Sequence, residues 1–176
     1  MDKITAYFDC IEKHFLKPSR SEQVSSSCTA TCLLLFPVFD ALGFLFSESE
    51  TQGNRGRFEW TLSELSGDYV ARKEELWKLR NSLIHEALFD SACLSQVQSW
   101  SHKHLHKTTG GMLLINTRTL TEDLCGLVSR LRCETTCCSV RTIRADSRLE
   151  WGMKSYSPPS DTTPRPPIKV NFLKKK

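Results

Sequence analysis

From Lys3 to Leu16 the apolar residues Ile4, Tyr7, Phe8, Ile11 and Phe15 fall on one face at three- and four-residue steps, which predicts an amphipathic helix. Pro18 follows and marks its end. Residues Ser19 to Ser27 are polar and read as a loop, with Ser25, Ser26 or Ser27 available as N-cap of the next helix. That helix, about Thr29 to Glu48, is apolar nearly all round, the pattern of a segment at the centre of a bundle. Pro37 should kink it, because proline lacks the amide and crowds the preceding turn. Asp40 is its odd residue, a carboxylate among Val38, Phe39, Ala41 and Leu42. Buried alone it would be costly, so it wants a cation or hydrogen-bond donors unless it faces the surface.

Gln52 to Gly56 reads as a turn, and Phe58, Leu62 and Leu65 predict a short third helix ended by Gly67. Leu76, Leu79 and Leu83 form the buried stripe of a fourth helix, from about Tyr69 to Leu88. The period then changes. Gln96 to Lys107 and Met112 to Arg118 alternate around Thr108-Thr109-Gly110-Gly111, a β-hairpin signal. Thr119 and Glu122 have capping-box spacing, and Leu120, Leu124, Leu127, Val128 and Leu131 predict a fifth helix ending near Arg132. Beyond Cys133 the pattern fades into Pro158-Pro159, Pro164 and Pro166-Pro167 among serines and threonines. The expected fold is mainly α: an up-and-down bundle of four to five helices over 1–132, with a small β-hairpin near 96–118 before the last helix. A basic, Pro-rich, flexible tail is expected over 133–176.

Charge and cysteine content refine this outline. Met1 to Arg132 carries 15 Lys/Arg against 16 Asp/Glu, whereas Cys133 to Lys176 carries 9 against 4, so the net +4 of the chain resides in the tail. A tail of that sign can hold a polyanion loosely. No apolar run reaches the ~18 residues of a membrane span, since Pro37 and Asp40 interrupt the longest, and the N-terminus has no signal-peptide layout. A cytoplasmic protein with no membrane partner is expected. Its eight cysteines are then reduced, with Cys10, Cys28, Cys32, Cys93 and Cys125 packing as small hydrophobes.

The chemistry concentrates in Glu74-Glu75-Leu76-Trp77-Lys78-Leu79-Arg80-Asn81-Ser82-Leu83-Ile84-His85-Glu86. Arg80, Asn81 and His85 lie off the leucine stripe, and an arginine held near a histidine is a pair that metal-free phosphate chemistry can use. The ordinary alternative is a solvated arginine and a satisfied histidine near a helix end. Arg80-Asn81-Ser82-Leu83-Ile84-His85 resembles the Arg–polar–x–x–x–His signature of HEPN domains. Leu35 to Phe46, with its Asp40-Ala41-Leu42-Gly43 run, is similar to the family's second helix, and Gly53-Asn54-Arg55-Gly56-Arg57-Phe58 to the turn opening its third. The resemblance covers roughly Ile4 to His85 and extends at most to Arg132. It implies a HEPN-like bundle, a homodimer whose motif helices meet at a composite site, and endoribonuclease activity that leaves a cyclic phosphate. Toxin, phage-defence or RNA-processing roles follow, with RNA as substrate, no cofactor, no metal, and an antitoxin or nucleotidyltransferase as a possible partner. One toxin group carries a tyrosine two residues after the histidine, which its nucleotidyltransferase modifies; Ala87 stands there, which puts that control in doubt.

RNA brings its own nucleophile, the 2′-hydroxyl. In this reading His85 is the general base or acid, Arg80 stabilises charge on the phosphate, and Asn81, one face-step from His85, orients the imidazole or the phosphate. Asp40 supports Arg80 or His85, while Arg55, Arg57 and Lys78 are candidate RNA contacts. Five helical steps put Arg80 and His85 about 140° apart around the axis, so they converge only if the helix loosens or if two copies meet. His102, His104 and His106 would share one face of a strand, able to hold zinc or copper or, with Lys103 and Lys107, to touch RNA. Cys133-x3-Cys137-Cys138 lacks paired zinc spacing, and glycine-rich phosphate loops, G-x-S-x-G and His-Glu-x-x-His are missing. The alternative reading is a non-catalytic HEPN module that binds nucleotide, RNA or a partner protein.

Overall fold

The computed structural model describes residues 3–47, 53–85, 92–136, 145 and 147–149. The chain opens with α1 (Lys3–Ile11), a π-helical turn over Glu12–Leu16 and α2 (Lys17–Ser19). Pro18 does not end this run: it sits in the first turn of α2, where a missing amide costs little. The loop expected over Ser19 to Ser27 contains a short helix, α3 (Glu22–Ser25). Ser27 then caps α4 (Cys28–Phe46), its Oγ accepting from the Ala30 amide at 3.3 Å.

Helix α4 is the core of the molecule, with Leu35, Phe36, Phe39, Leu42 and Leu45 fully buried. It runs through Pro37, which removes the amide that would bond the carbonyl of Leu33, a residue on the exposed side. Contrary to the sequence expectation, α4 is by length and composition apolar enough to cross a membrane. More than half of that window is buried inside the protein, and its interrupting residues, Pro37 and Asp40, are accommodated within the helix.

Next come α5 (Asn54–Leu65), the short α6 (Gly67–Ala71) and α7 (Lys73–His85). The turn expected over Gln52 to Gly56 is therefore largely the first turn of α5, with Gly53 at its N-cap. The single helix expected from Tyr69 to Leu88 breaks at Arg72, and its last predicted residues lie outside the described ones. Leu76, Leu79 and Leu83 are buried as their spacing predicted.

Helices α4 and α5 approach unusually closely at Gly43. A Cβ placed there would lie 2.0 Å from the carbonyl oxygen of Arg57. Thr61 fastens the same contact by donating to the carbonyl of Phe39 at 2.7 Å. The approach brings Phe58 within 5.3 Å of Phe39 and 5.9 Å of Phe36, centroid to centroid, and Phe58 in turn meets Trp77 of α7 at 5.6 Å. A chain of aromatic contacts thus runs from α4 through α5 to α7. Each fully buried ring contributes roughly 1.5–3 kcal/mol of transfer free energy.

The β-hairpin is corrected. The two strands are β1 (Ala92–Ser95) and β2 (Leu113–Asn116), and they pair parallel, Ala92 opposite Leu113 and Ser95 opposite Asn116. Half of the first predicted strand is instead a 3-10 helix over Gln98–Lys103. Parallel strands need a long crossover, and residues 96–112 supply it. The Thr108–Gly111 turn is present and a short antiparallel pairing flanks it: Lys107 bridges Leu113, the Thr108 amide bonds the Met112 carbonyl, and the Leu114 amide bonds the His106 carbonyl, both at 2.8 Å. The last helix, α8 (Thr117–Thr136), is capped by Asn116, not by Thr119: Asn116 Oδ1 accepts from the amides of Arg118 and Thr119, both at 3.1 Å.

The boundary at Arg132 also moves. Helix α8 continues to Thr136, and within the expected tail Ala145 is fully buried in the core. Arg148 is 8 % exposed, donates to the carbonyl of Phe44 and stands 3.4 Å from Ser47 Oγ. Part of the C-terminal segment therefore packs on the end of α4. The Pro-rich stretch lies outside the described residues. Cys32 is buried and Cys28, Cys93 and Cys125 are half-buried, but Cys10 is exposed, so it is not packed as expected. Burial, with Cys28 beside it, pushes the Cys32 thiol up to about 12, which leaves it inert.

Replacing Gly43 by alanine should force α4 and α5 apart, because the clashing atom is backbone and cannot swing aside. The expected cost is about 3 kcal/mol or more, read as a lowered denaturation midpoint in urea. An unchanged midpoint would contradict the close approach.

Candidate active site

Helix α7 carries the motif, and its geometry divides it between two environments. It is regular α-helix through His85, so no loosening brings Arg80 and His85 to one side. Arg80 turns inward and is 8 % exposed, whereas His85 is exposed at the helix end beside Ile84, itself 38 % exposed. Within one protomer the two residues face different surroundings.

The inward half is well defined. Arg80 Nη2 forms an ion pair with Asp40 Oδ2 of α4, and Nη1 donates to Asn81 Oδ1 at 2.9 Å. Its guanidinium carbon lies 5.1 Å from the centroid of the Trp77 ring, one turn earlier on α7. The cation that Asp40 was expected to need is thus Arg80. Burial raises the Asp40 carboxyl above its ordinary range, and Arg80 and Arg57 oppose that rise. Asp40 Oδ1 and Arg80 Nε are buried without a hydrogen-bond partner among the described residues.

The remaining expected contacts divide. Asn81 is held by Arg80, not turned to the imidazole of His85. Arg55 is tied to Glu59 at 2.7 Å and to Glu74, linking α5 to α7, so its guanidinium is already engaged by carboxylates. Arg57 lies over the Phe44 ring at 4.9 Å. Lys78 is exposed on α7. Trp77 was not singled out in the sequence, although its place three residues before Arg80 was a readable signal.

The three histidines do not share a strand face, because the segment is 3-10 helix and turn. His102 and His106 are exposed, and His104 points inward. No cluster of three or more metal-ligating side chains occurs among the described residues. His104 Nδ1 accepts from the Asn116 amide at 3.0 Å, which leaves the ring proton on Nε2. That Nε2 lies 2.9 Å from the Tyr69 hydroxyl, which donates to Asp123 Oδ2 at 2.7 Å. Burial lowers the His104 pKa from 6.5 to about 4, against the opposing pull of Asp123. Burial and Asp123 raise the Tyr69 phenol, which stays a donor. This relay joins α6, the crossover and α8, and sequence spacing gave no sign of it.

Compared with known proteins, the chain matches no family model, no curated protein and no solved structure.

Asp40→Asn should destabilise the protein by about 3 kcal/mol, because it strands a buried guanidinium; a joint Asp40→Leu, Arg80→Met replacement should recover much of that loss. Denaturant titrations of the single and double variants check this. The His104 relay has its own pH signature. An unfolded histidine takes its proton near 6.5 and this one only near 4, so the unfolded state binds more protons between those values. Stability present above pH 6.5 should therefore fall by roughly 3 kcal/mol as pH drops toward 4. His104→Gln should flatten that decline in denaturation curves taken at pH 7 and 4.5.

Proposed function

We propose that this protein is a metal-independent endoribonuclease of the HEPN type, working as a symmetric dimer in a toxin, phage-defence or RNA-processing role. The observation that carries the reading is the division of one regular helix: a guanidinium fixed by Asp40 and Trp77, and an exposed imidazole at the helix end. Half a site is thereby offered at the surface, and a two-fold axis near the end of α7 supplies the other half. The exposed Ile84 beside His85 gives such a contact an apolar element.

One His85 takes the proton of the 2′-hydroxyl as O2′ attacks phosphorus. The bond from phosphorus to O5′ breaks, and the partner's His85, in its acid form, returns a proton to O5′. The products are a 2′,3′-cyclic phosphate and a 5′-hydroxyl. Arg80, 8 % exposed and held by Asp40, supplies the positive charge against the phosphate oxygens in this reading. Asn81 holds that guanidinium in place.

A second reading draws on the same pair. Arg80 is largely buried and engaged by Asp40, which also suits a structural ion pair inside a non-catalytic module that binds nucleotide, RNA or a partner.

In EDTA the purified protein should cleave single-stranded RNA to cyclic-phosphate ends, and His85→Ala should lower the rate by about 100-fold or more. Ile84→Glu should shift sedimentation from dimer to monomer and remove activity with it. Parent, His85→Ala and Arg80→Ala proteins all equally active, or a parent inert on varied RNAs, would favour the second reading.

A further inference from the structure

The crossover between β1 and β2 is built in a way that its structural role does not require. The 3-10 helix over Gln98–Lys103 contributes no buried residue to the core. Three of the large apolar side chains that the protein exposes, Val97, Trp100 and Met112, belong to this crossover. Trp100 is 42 % exposed, with Lys103 Nζ 5.6 Å from its ring centroid.

Charge separates this segment from the rest of the bundle. From Ala92 to Thr121 there is no aspartate or glutamate, and Lys103 and Lys107 are the cations of the crossover; Arg118, on α8, is paired with Glu122 at 3.2 Å. Lys107 reaches Glu75 of α7 at 3.5 Å, whereas Lys103 has no carboxylate partner among the described residues. His102 and His106 are exposed on the same stretch.

The segment is also held rigidly. Asn116 Nδ2 donates to the Val97 carbonyl at 3.0 Å, and the His104–Tyr69–Asp123 relay anchors the middle. Leu105, buried beneath, adopts φ 62, a left-handed conformation that costs a leucine energy and persists only where its surroundings enforce it. Its amide bonds the Leu114 carbonyl at 2.8 Å, and Arg72 donates to its carbonyl at 3.3 Å. An aromatic ring and a lysine are thus displayed on a fixed, acid-free loop.

From this arrangement we infer that the crossover is a stacking platform for single-stranded RNA, with a base on the Trp100 ring and the backbone phosphates toward Lys103 and the exposed histidines. The choice of RNA as ligand rests on the ribonuclease reading; the site itself rests on the loop. Lys107 ties the crossover to Glu75 in the first turn of α7, the helix whose last described residue is His85.

The test is binding of fluorescently labelled 12-nucleotide single-stranded and duplex RNAs to the full chain carrying His85→Ala, followed by anisotropy across a salt series. Trp100→Ala should weaken single-strand binding about tenfold, and Trp100→Phe should retain most of it. Lys103→Ala should lower the slope of log affinity against log salt by roughly 0.7. Binding that Trp100→Ala leaves unchanged, equal preference for duplex, or no RNA binding at all would overturn the platform. Near-parent thermal unfolding of each variant guards against simple misfolding, since none of these side chains is in the core. The two proposals separate cleanly. Trp100-dependent binding without cleavage by the parent would sink the enzyme and keep the platform, whereas cleavage with an unchanged KM in Trp100→Ala would do the reverse.

Discussion

A largely buried ion pair between two helices, with Arg80 inside and Asp40 half-buried, organises this molecule. Helix α4 carries one ionised side chain, Asp40, in an otherwise apolar sequence, and α7 meets it with Arg80. Such pairs add little net stability relative to well-packed apolar residues, because both ions lose their water. Their effect is on specificity: any rotation or sliding of α7 against α4 would strand a charge in the core. The pair therefore sets the register of the two helices, and Trp77 braces the guanidinium from within α7. Gly43, one turn beyond Asp40, lets α5 close on α4 and bring Phe58 under Trp77. The Asp40-Ala41-Leu42-Gly43 run is thus a geometric device, with a charge for one neighbouring helix and a missing side chain for the other.

Once α7 is locked with Arg80 inward, the direction of everything else on it follows. The leucine stripe is buried, Lys78 faces solvent, and the regular helix carries Ile84 and His85 to an exposed end. A single protomer cannot aim both motif residues at one phosphate. In the proposed reading this is an economy: the rigid cation is held at one height and the titratable ring is left free for a site completed by symmetry.

Local signals were readable where local physics decides. The extent of α4, the Ser27 cap, the buried Leu76, Leu79 and Leu83, and the need of Asp40 for a cation all follow from spacing or from the cost of burying a charge. Features decided by distant contacts were not readable. Ala92 to Ser95 is too short to register as a strand, and its parallel partner lies beyond a crossover whose alternation imitates a strand but folds as 3-10 helix. His104 gave no hint of Tyr69 and Asp123, which are far from it in sequence. Arg148 looked like tail because its partners, at the end of α4, precede it by about a hundred residues.

The central claim is that catalysis needs both copies of His85 around one phosphate. Mixing parent with His85→Ala protein in varied ratio at constant total protein, after exchange of protomers, and following total RNA cleavage tests it most directly. If the site is shared, total activity should fall as the square of the parent fraction. A fall in simple proportion to that fraction would show that each protomer works alone, and would contradict the account.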